Sequence, residues 1–296
     1  MSLTLLYRGP LSSCNYECHY CPFAKHHETA KELAVDRAAL ERFVAWVVQQ
    51  AEEMPGTKLR LFFTPWGEAL VRRWYQRALV DLSHLEHVEK IAIQTNLSCS
   101  LEWLAEANVS RLGLWCTFHP SQTTRSAFLN QCRQLDQLSV PHSVGAVGLK
   151  EDAEEISRLR AELPAETYLW INAYKQQLGY YTDEDVARFE RLDPLFRINT
   201  EYHASLGRAC RCGTDVLSID GDGTIRRCHF IRQPLGSIYE DGWQSLLRDE
   251  PCPNRTCGCH IGYIHMPHLN LDQTFGDGLL ERIPRRPIRH AAAATE

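Results

Sequence analysis

Three cysteines near the amino terminus have a spacing that suits metal chemistry. Cys14, Cys18 and Cys21 form a C-x3-C-x2-C pattern a few residues after an apolar run. This spacing cannot place the three thiols on one strand face and fits one helix face poorly, so it indicates a loop around an inorganic core. Three thiolates on a four-iron cluster leave one iron open to a substrate or cofactor. The alternative is a zinc ion with a histidine as its fourth ligand; the candidates are His19, His26 and His27.

The same stretch resembles the signature of the radical S-adenosylmethionine (radical SAM) superfamily, in which an aromatic residue, here Tyr20, precedes the last cysteine. The resemblance implies that the cysteines hold a [4Fe-4S] cluster, whose open iron chelates the amino and carboxylate groups of SAM. It also implies an enzyme that reduces SAM to methionine and a 5'-deoxyadenosyl radical, which takes a hydrogen atom from a substrate. A flavodoxin or ferredoxin is the electron donor that this chemistry implies.

Alternating strand and helix patterns predict the elements that position this loop. Six strand-like segments are each followed by a segment with helical periodicity, which predicts a parallel sheet with helices on one side. Right-handed crossovers would curl this α/β sheet into an open, partial (β/α)6 TIM-like barrel, and the radical SAM core is similar. The predicted strands are 3–8, 58–64, 89–95, 111–118, 141–149 and 166–174; the predicted helices are 36–54, capped by Asp36, then 69–82, a short one from 100, 123–138, 152–163 and 183–192.

Active sites in this architecture lie at the carboxyl ends of the strands, where the cysteine loop also falls. After the second strand, Gly67 and Glu68 match part of the Gly-Gly-Glu motif of the family, while Trp66 replaces its first glycine. The resemblance implies that this motif binds the SAM amino group, and a carboxylate suits an ammonium partner. The alternative is an ordinary helix start with an acidic residue near its positive end.

Polar residues also follow the third and fourth strands. Thr95 and Asn96 match a Thr-Asn pair that is frequent in the family, which implies a place facing SAM or the substrate; an ordinary asparagine turn is the alternative. Thr117 and His119 share one strand face. We expect His119, with Thr117 beside it, to be a candidate catalytic residue that contacts the substrate or donates a proton; a strand-end histidine in solvent is the alternative.

The last third of the chain is rich in cysteine and turns. Strand patterns on both sides of Asp220-Gly221-Asp222-Gly223 predict a β-hairpin. The region resembles the SPASM or twitch extension of radical SAM enzymes, because Cys228 follows Gly223 after four residues. The resemblance implies a second, auxiliary [4Fe-4S] cluster, and a structural zinc is the alternative. The expected ligands are Cys228 with Cys210 or Cys212, while Cys252, Cys257 and Cys259 compete for the rest.

Composition bounds the remaining possibilities. We predict a core barrel over residues 1–200, a cysteine-rich extension over 201–270 and a loose tail over 271–296. The net charge of −5 and the lack of a basic stripe give no case for nucleic acid binding, and no apolar run approaches a membrane span. Twelve cysteines without a secretory signal favour metal chemistry in a reducing cytoplasm over disulfides. Isolated Cys99, Cys116 and Cys132 are expected to be buried structural residues.

The expected function is hydrogen abstraction from a peptide or protein side chain, or from a small metabolite. Only 13 residues precede Cys14, which leaves no room for an amino-terminal peptide-binding domain, so a peptide substrate would be presented by a separate partner. A peptide predicts an open groove and an exposed edge strand, whereas a small molecule predicts a closed polar cavity. The other class is a non-enzymatic iron–sulfur or zinc scaffold or electron carrier, which would need no ammonium site at Gly67 and Glu68.

Overall fold

The computed structural model describes residues 2–24 and 26–288. Its centre is an open sheet in which six parallel strands pair in chain order. The long apolar runs of these strands are typical of a parallel sheet that is covered on both faces. The strands are β1 Ser2–Arg8, β2 Lys58–Phe63, β3 Val88–Thr95, β4 Leu112–Phe118, β5 His142–Val147 and β6 Leu169–Asn172.

Helices cover the outer face of this sheet, as predicted. Their apolar sides pack on strand residues in the larger of the hydrophobic cores, where Phe43 and Leu79 are fully buried beside Leu61. Between β3 and β4 the predicted short helix is present only as 3-10 turns over Glu102–Glu106 and Val109–Arg111. The helices are α1 Ala30–Glu53, α2 Arg73–Ser83, α3 Arg125–Gln137, α4 Ala153–Glu162, α5 Asp183–Glu190 and α6 Phe196–Thr200.

The start of α1 differs from the prediction that Asp36 caps it. Thr29 is the cap, and it forms a capping box with Glu32, which satisfies backbone donors at the first turn. Asp36 lies inside the helix, buried, and accepts hydrogen bonds from Leu11 N at 3.1 Å and Trp74 Nε1 at 2.8 Å. Asp36 therefore does not cap the helix. Its hydrogen bond with Leu11 N connects α1 to the start of the cysteine loop.

The predicted hairpin is present and extends the barrel sheet. It is preceded by β7 His203–Ala204, and its strands are β8 Val216–Asp220 and β9 Thr224–Arg226, which pair antiparallel. β8 also pairs in parallel with β1, and β10 Pro234–Ser237 joins β9. The sheet thus has nine strands in the order β10-β9-β8-β1-β2-β3-β4-β5-β6, and the partial barrel is confirmed. β11 Thr256–Cys257 pairs with β7 in a separate two-stranded sheet.

Residues 271–288 form a packed segment rather than the loose tail that the sequence analysis expected. Helices α7 His260–Tyr263 and α8 Leu271–Phe275 lie on the inner face of the sheet. There Phe275 and Leu280 join a second core with Phe62 and Trp115. The apolar inner face needs such a cover, and this segment supplies it. The rest of the predicted tail, 289–296, lies outside the described residues.

Within the described part of the chain, no helix is both long and apolar enough to cross a bilayer.

Candidate functional site

The cysteine loop joins β1 to α1 and lies at the carboxyl end of β1. Cys18 and Tyr20 are buried, whereas Cys14 and Cys21 are partly exposed. The loop is held by Glu28, whose carboxylate accepts hydrogen bonds from Ser12 N at 2.9 Å and Ser13 Oγ at 2.6 Å. Glu28 could not be identified from the sequence, since nothing in its local pattern distinguishes it from other acidic residues near a helix start.

Gly67 allows the loop after β2 to touch the cysteine loop. A Cβ on Gly67 would lie 1.8 Å from the backbone oxygen of Ser13, so no other residue fits without a backbone shift. The next amide, Glu68 N, donates a hydrogen bond to the same oxygen at 3.1 Å. The loop with Gly67 and Glu68 and the cysteine loop are therefore packed backbone against backbone.

Glu68 is a buried carboxylate that reaches the end of β3. It accepts hydrogen bonds from Thr95 Oγ1 at 2.8 Å, from Leu70 N at 3.0 Å and from Asn96 N. Burial raises the pKa of Glu68 to about 7, although these donors favour the ionised form. An added ammonium partner would stabilise the ionised form further.

Asn96 connects this carboxylate to the cysteine loop. Its side-chain amide donates to Asn15 Oδ1 at 3.0 Å and lies 3.8 Å from the sulfur of Cys14. The backbone amide of Tyr16 also donates to that sulfur, at 3.3 Å. Burial raises the pKa of Cys14 to about 11, so the thiolate needs a strong partner such as a metal, which displaces the proton.

His119, at the end of β4, contacts the loop from the other side. Its Nδ1 lies 2.7 Å from the hydroxyl of Tyr20, and its ring stacks on that of Tyr20. Burial lowers the pKa of His119 to about 4, so the ring is neutral at neutral pH. Thr117 lies two residues earlier and is half-buried. Gln176, also missed from sequence, donates to the carbonyl oxygen of Tyr20.

Three cysteines lie on this one loop, so its donor atoms fit a thiolate-bound metal centre. Residues at the ends of β2, β3 and β4 contact the loop. Two of the histidines considered as zinc ligands have other polar neighbours. His26 Nε2 lies 3.2 Å from Ser12 Oγ, and His27 Nε2 lies 3.7 Å from Glu17 Oε1. In residues 2–24 and 26–288, no three His, Cys, Asp or Glu side chains are arranged around one metal-ion position.

An open groove of about 650 Å³ runs beside the cysteine loop. It lies between α1 and the β8–β9 hairpin, and its walls include Val35, Arg42 and His229. Trp66, the residue in place of the family's glycine, also lines it. The Trp66 ring packs on Phe23 at 4.4 Å between centroids, and the Arg8 guanidinium lies 4.2 Å from its centroid.

Five of the six cysteines of the extension line one small cavity of about 20 Å³. Hydrogen bonds link the thiols of Cys210, Cys212 and Cys228, and the bond from Cys212 lowers the pKa of Cys210 to about 7. The thiol donors suit an iron–sulfur cluster, which is wider than a single ion; among the described residues no three of them surround one position for a zinc ion. The lining cysteines are Cys210, Cys212, Cys228, Cys252 and Cys257; Cys259 is exposed and is not among them.

The isolated cysteines Cys99, Cys116 and Cys132 are buried in the helix-facing core, as expected.

No protein-family model and no curated protein matches this sequence. Among solved structures, native anSMEcpe with bound AdoMet (S-adenosylmethionine) has a TM-score of 0.56 and 14% identity, over 89% of this chain and 84% of that one. The anSMEcpe structure with bound AdoMet and a Kp18Cys peptide also has a TM-score of 0.56 and 14% identity, over 84% of this chain and 81% of that one. These neighbours are radical SAM enzymes, and the chain shares their fold.

Proposed function

We propose that this protein is a radical SAM enzyme that abstracts hydrogen from its substrate. The observation that carries the proposal is the convergence of Cys14, Glu68, Thr95 and Asn96, from three strand ends, in one hydrogen-bonded group. This convergence lies at the carboxyl ends of the strands, where active sites of such barrels are found, and in a fold shared with AdoMet-bound enzymes.

In this proposal Cys14, Cys18 and Cys21 hold a [4Fe-4S] cluster. When bound, that cluster supplies the electron that cleaves SAM and so generates the radical that attacks the substrate. The hydrogen bonds from Tyr16 N and Asn96 to Cys14 would orient its sulfur and moderate its charge. A flavodoxin- or ferredoxin-type donor would deliver the electron.

Glu68 is proposed to bind the ammonium of SAM. Thr95 and the backbone amides of Leu70 and Asn96 already fix its carboxylate, so little reorganisation is needed when the ligand arrives. Gly67 brings this group against the cysteine loop. Tyr20 and neutral His119 would close the other side of the site and exclude water.

The open groove beside the loop favours a peptide or protein segment as substrate over a small metabolite. An extended peptide can lie in such a groove, and a related fold has been solved with a peptide bound. Trp66 and Arg8 give this groove an apolar and a cationic surface, and Phe23 packs on Trp66. A separate partner could present the segment. A small metabolite would use a closed cavity instead.

We further propose that the five-cysteine cavity holds an auxiliary [4Fe-4S] cluster. The shared cavity and linked thiols of Cys210, Cys212 and Cys228 support a single thiolate-rich centre. Its position in an extension whose strand β8 pairs with β1 would let it exchange electrons with the substrate region.

The direct test is SAM cleavage under reducing conditions. Anaerobically reconstituted protein with dithionite and SAM is expected to release 5'-deoxyadenosine and methionine, measured by chromatography. The variant with Cys14, Cys18 and Cys21 all changed to Ala should release neither, while Cys132→Ser, a buried thiol outside the site, should keep the activity. Zinc in place of iron, with no cleavage by the intact chain, would favour the non-enzymatic scaffold.

A further inference from the structure

The segments that supply the cysteines of the extension contain no acidic residue. These segments are 202–214, 223–239 and 251–271, and all 37 acidic residues of the chain lie outside them. They contain six arginines and no lysine, although the whole chain has a net charge of −5. Positive charge is therefore concentrated around the five-cysteine cavity. The arginines are Arg208, Arg211, Arg226, Arg227, Arg232 and Arg255.

Three of these six arginines are balanced by carboxylates that flank the segments. Each guanidinium lies within ion-pair distance of its partner, so these arginines add little to the net charge of the surface. The pairs are Arg211 with Asp215 at 2.8 Å, Arg226 with Asp220 at 2.7 Å and Arg227 with Glu250 at 3.6 Å.

The other three arginines, Arg208, Arg232 and Arg255, are exposed and form no ion pair within the described part of the chain. They lie beside the five-cysteine cavity. Arg232 follows Ile231, which lines the cavity, and the carbonyl oxygen of Arg208 accepts a hydrogen bond of 2.9 Å from the amide of Cys252, another lining residue. The cations that remain uncompensated are therefore those next to the cavity.

Three apolar side chains are exposed among these cations. Leu206 is 63% exposed, Tyr202 is 58% exposed and Phe230 is 41% exposed. Phe230 also lines the cavity, and backbone hydrogen bonds join the segment with Leu206 to the segment with Arg255. Exposed apolar side chains among arginines are typical of a surface that binds another protein.

We propose that this surface of the extension docks an acidic electron-carrier protein of the flavodoxin type. The inference rests on the proposed function, since it places the electron donor of that reaction. Complementary charge speeds the encounter of two proteins, and transient redox complexes need only small interfaces. We call the surface the arginine face; it consists of Tyr202, Leu206, Arg208, Phe230, Arg232 and Arg255.

The position of the arginine face favours an electron carrier over the substrate as its partner. Electron transfer requires close approach to a redox centre, and this face adjoins the cavity that we propose for the auxiliary cluster. The substrate must instead reach the first cysteine loop, beside which the open groove runs. One electron leaves the reduced carrier and one is consumed for each SAM that is cleaved, so the transfer needs no further reactant.

The test is the binding of an oxidised, acidic flavodoxin to the reconstituted protein, measured by titration calorimetry. Affinity should fall at least about tenfold between about 50 and about 500 mM salt, because salt screens exposed charges. Reversal of the three unpaired charges should weaken binding at least about tenfold at the lower salt concentration. This variant combines Arg208→Glu, Arg232→Glu and Arg255→Glu.

The matched control reverses three exposed arginines on the helices α2, α3 and α5, which changes the net charge of the protein equally. These arginines also form no ion pair within the described residues. The control should bind flavodoxin as the wild type does. It combines Arg73→Glu, Arg133→Glu and Arg191→Glu.

SAM cleavage provides a second readout. The ratio of cleavage driven by reduced flavodoxin to cleavage driven by dithionite should fall at least about tenfold in the variant of the arginine face, because dithionite needs no docking surface. If the wild type cleaves no SAM with dithionite, the radical function fails, whereas the calorimetric titration still tests the arginine face.

If the triple variant does not bind iron as the wild type does, Leu206→Asp serves as a second variant that keeps every arginine. It should bind flavodoxin several-fold more weakly, whereas Leu138→Asp, at an exposed position after α3, should not. No flavodoxin binding by the wild type, an equal loss in the control variants, or unchanged binding in Leu206→Asp would overturn the proposal. A hexaglutamate peptide that binds as tightly as flavodoxin would also overturn it and would assign the face to an acidic peptide.

Discussion

The hydroxyl of Thr95, the last residue of β3, donates a hydrogen bond of 2.8 Å to Oε1 of Glu68, which joins the end of β3 to the loop after β2. Both residues are almost fully buried. Because Asn96 also binds both Glu68 and the cysteine loop, the three strand ends form one connected group. The proposed SAM site is thus assembled by the protein chain itself.

This relationship predicts a pH dependence for SAM binding. The folded pKa of Glu68 is about 7, raised from 4.5 by burial, so the carboxylate becomes ionised only as the pH rises through 7. An ammonium ligand requires the ionised form, so SAM affinity should be about tenfold higher at pH 8 than at pH 6. Equilibrium binding to anaerobically reconstituted protein measures this change.

Glu68→Gln should bind SAM more weakly and remove most of that pH dependence. Glu41→Gln, at an exposed position on α1, is the matched control and should behave as the wild type. If Glu68→Gln kept both the affinity and the pH profile, Glu68 would not be the ammonium partner.

Gly67→Ala should displace the cysteine loop. The added Cβ would overlap the Ser13 carbonyl oxygen at 1.8 Å, and forced overpacking costs about 1–3 kcal/mol. We expect the variant to lose most of the iron that the first loop binds after reconstitution. Gly179→Ala provides the control, since Gly179 has a positive φ but open space around it. Equal iron content in both variants would contradict the role of this contact.

His119 should make the protein sensitive to acid. Its pKa falls from 6.5 in the unfolded chain to about 4 in the fold because of burial, so the unfolded state binds more protons between these values. Stability is therefore complete above pH 6.5 and is lost as the pH falls toward 4, by about 2–3 kcal/mol from this residue.

The measurement is the free energy of unfolding of the metal-free protein at pH 7 and pH 5. His119→Gln should reduce the difference between the two pH values, whereas His84→Gln, a histidine on the exposed surface, should preserve it. An unchanged difference in His119→Gln would show that other groups cause the acid sensitivity.

Only some cysteines of the extension should be needed for iron binding. Cys228→Ser should lower the iron content of reconstituted protein from about eight to about four atoms per chain, because its thiol lines the shared cavity. Cys259→Ser should keep about eight, since Cys259 is exposed and outside the cavity. Loss of iron in Cys259→Ser, or about four irons and one zinc in the wild type, would contradict this assignment.

Local patterns were sufficient to predict the barrel, and the structure brings several of the candidate site residues together. The alternation of strands and helices predicted the parallel order of β1 to β6, because each crossover leaves few topological choices. The residues after β2, β3 and β4 were identified by their resemblance to the family's residues at these strand ends, and parallel strands bring those ends to one edge of the sheet. Glu68, Asn96 and His119 all lie near the cysteine loop in the structure.

Contacts between segments distant in sequence could not be predicted from these local patterns. Asp36 has the residue type of a helix cap, yet its hydrogen bonds to Trp74 and Leu11 place it inside α1. The arginines of the carboxy-terminal segment suggested a solvated tail, but Arg282 lies between two tryptophans of the barrel. Periodicity cannot reveal such burial, because it depends on the cover that the inner sheet face requires.

The central claim is that the first cysteine loop holds a cluster that binds SAM. Its most direct test is the electron paramagnetic resonance spectrum of dithionite-reduced, anaerobically reconstituted protein, recorded with and without SAM. We predict a cluster signal that SAM perturbs, and loss of that perturbation when Cys14, Cys18 and Cys21 are all changed to Ala. A spectrum that SAM leaves unchanged, or a protein that binds zinc alone, would contradict the account.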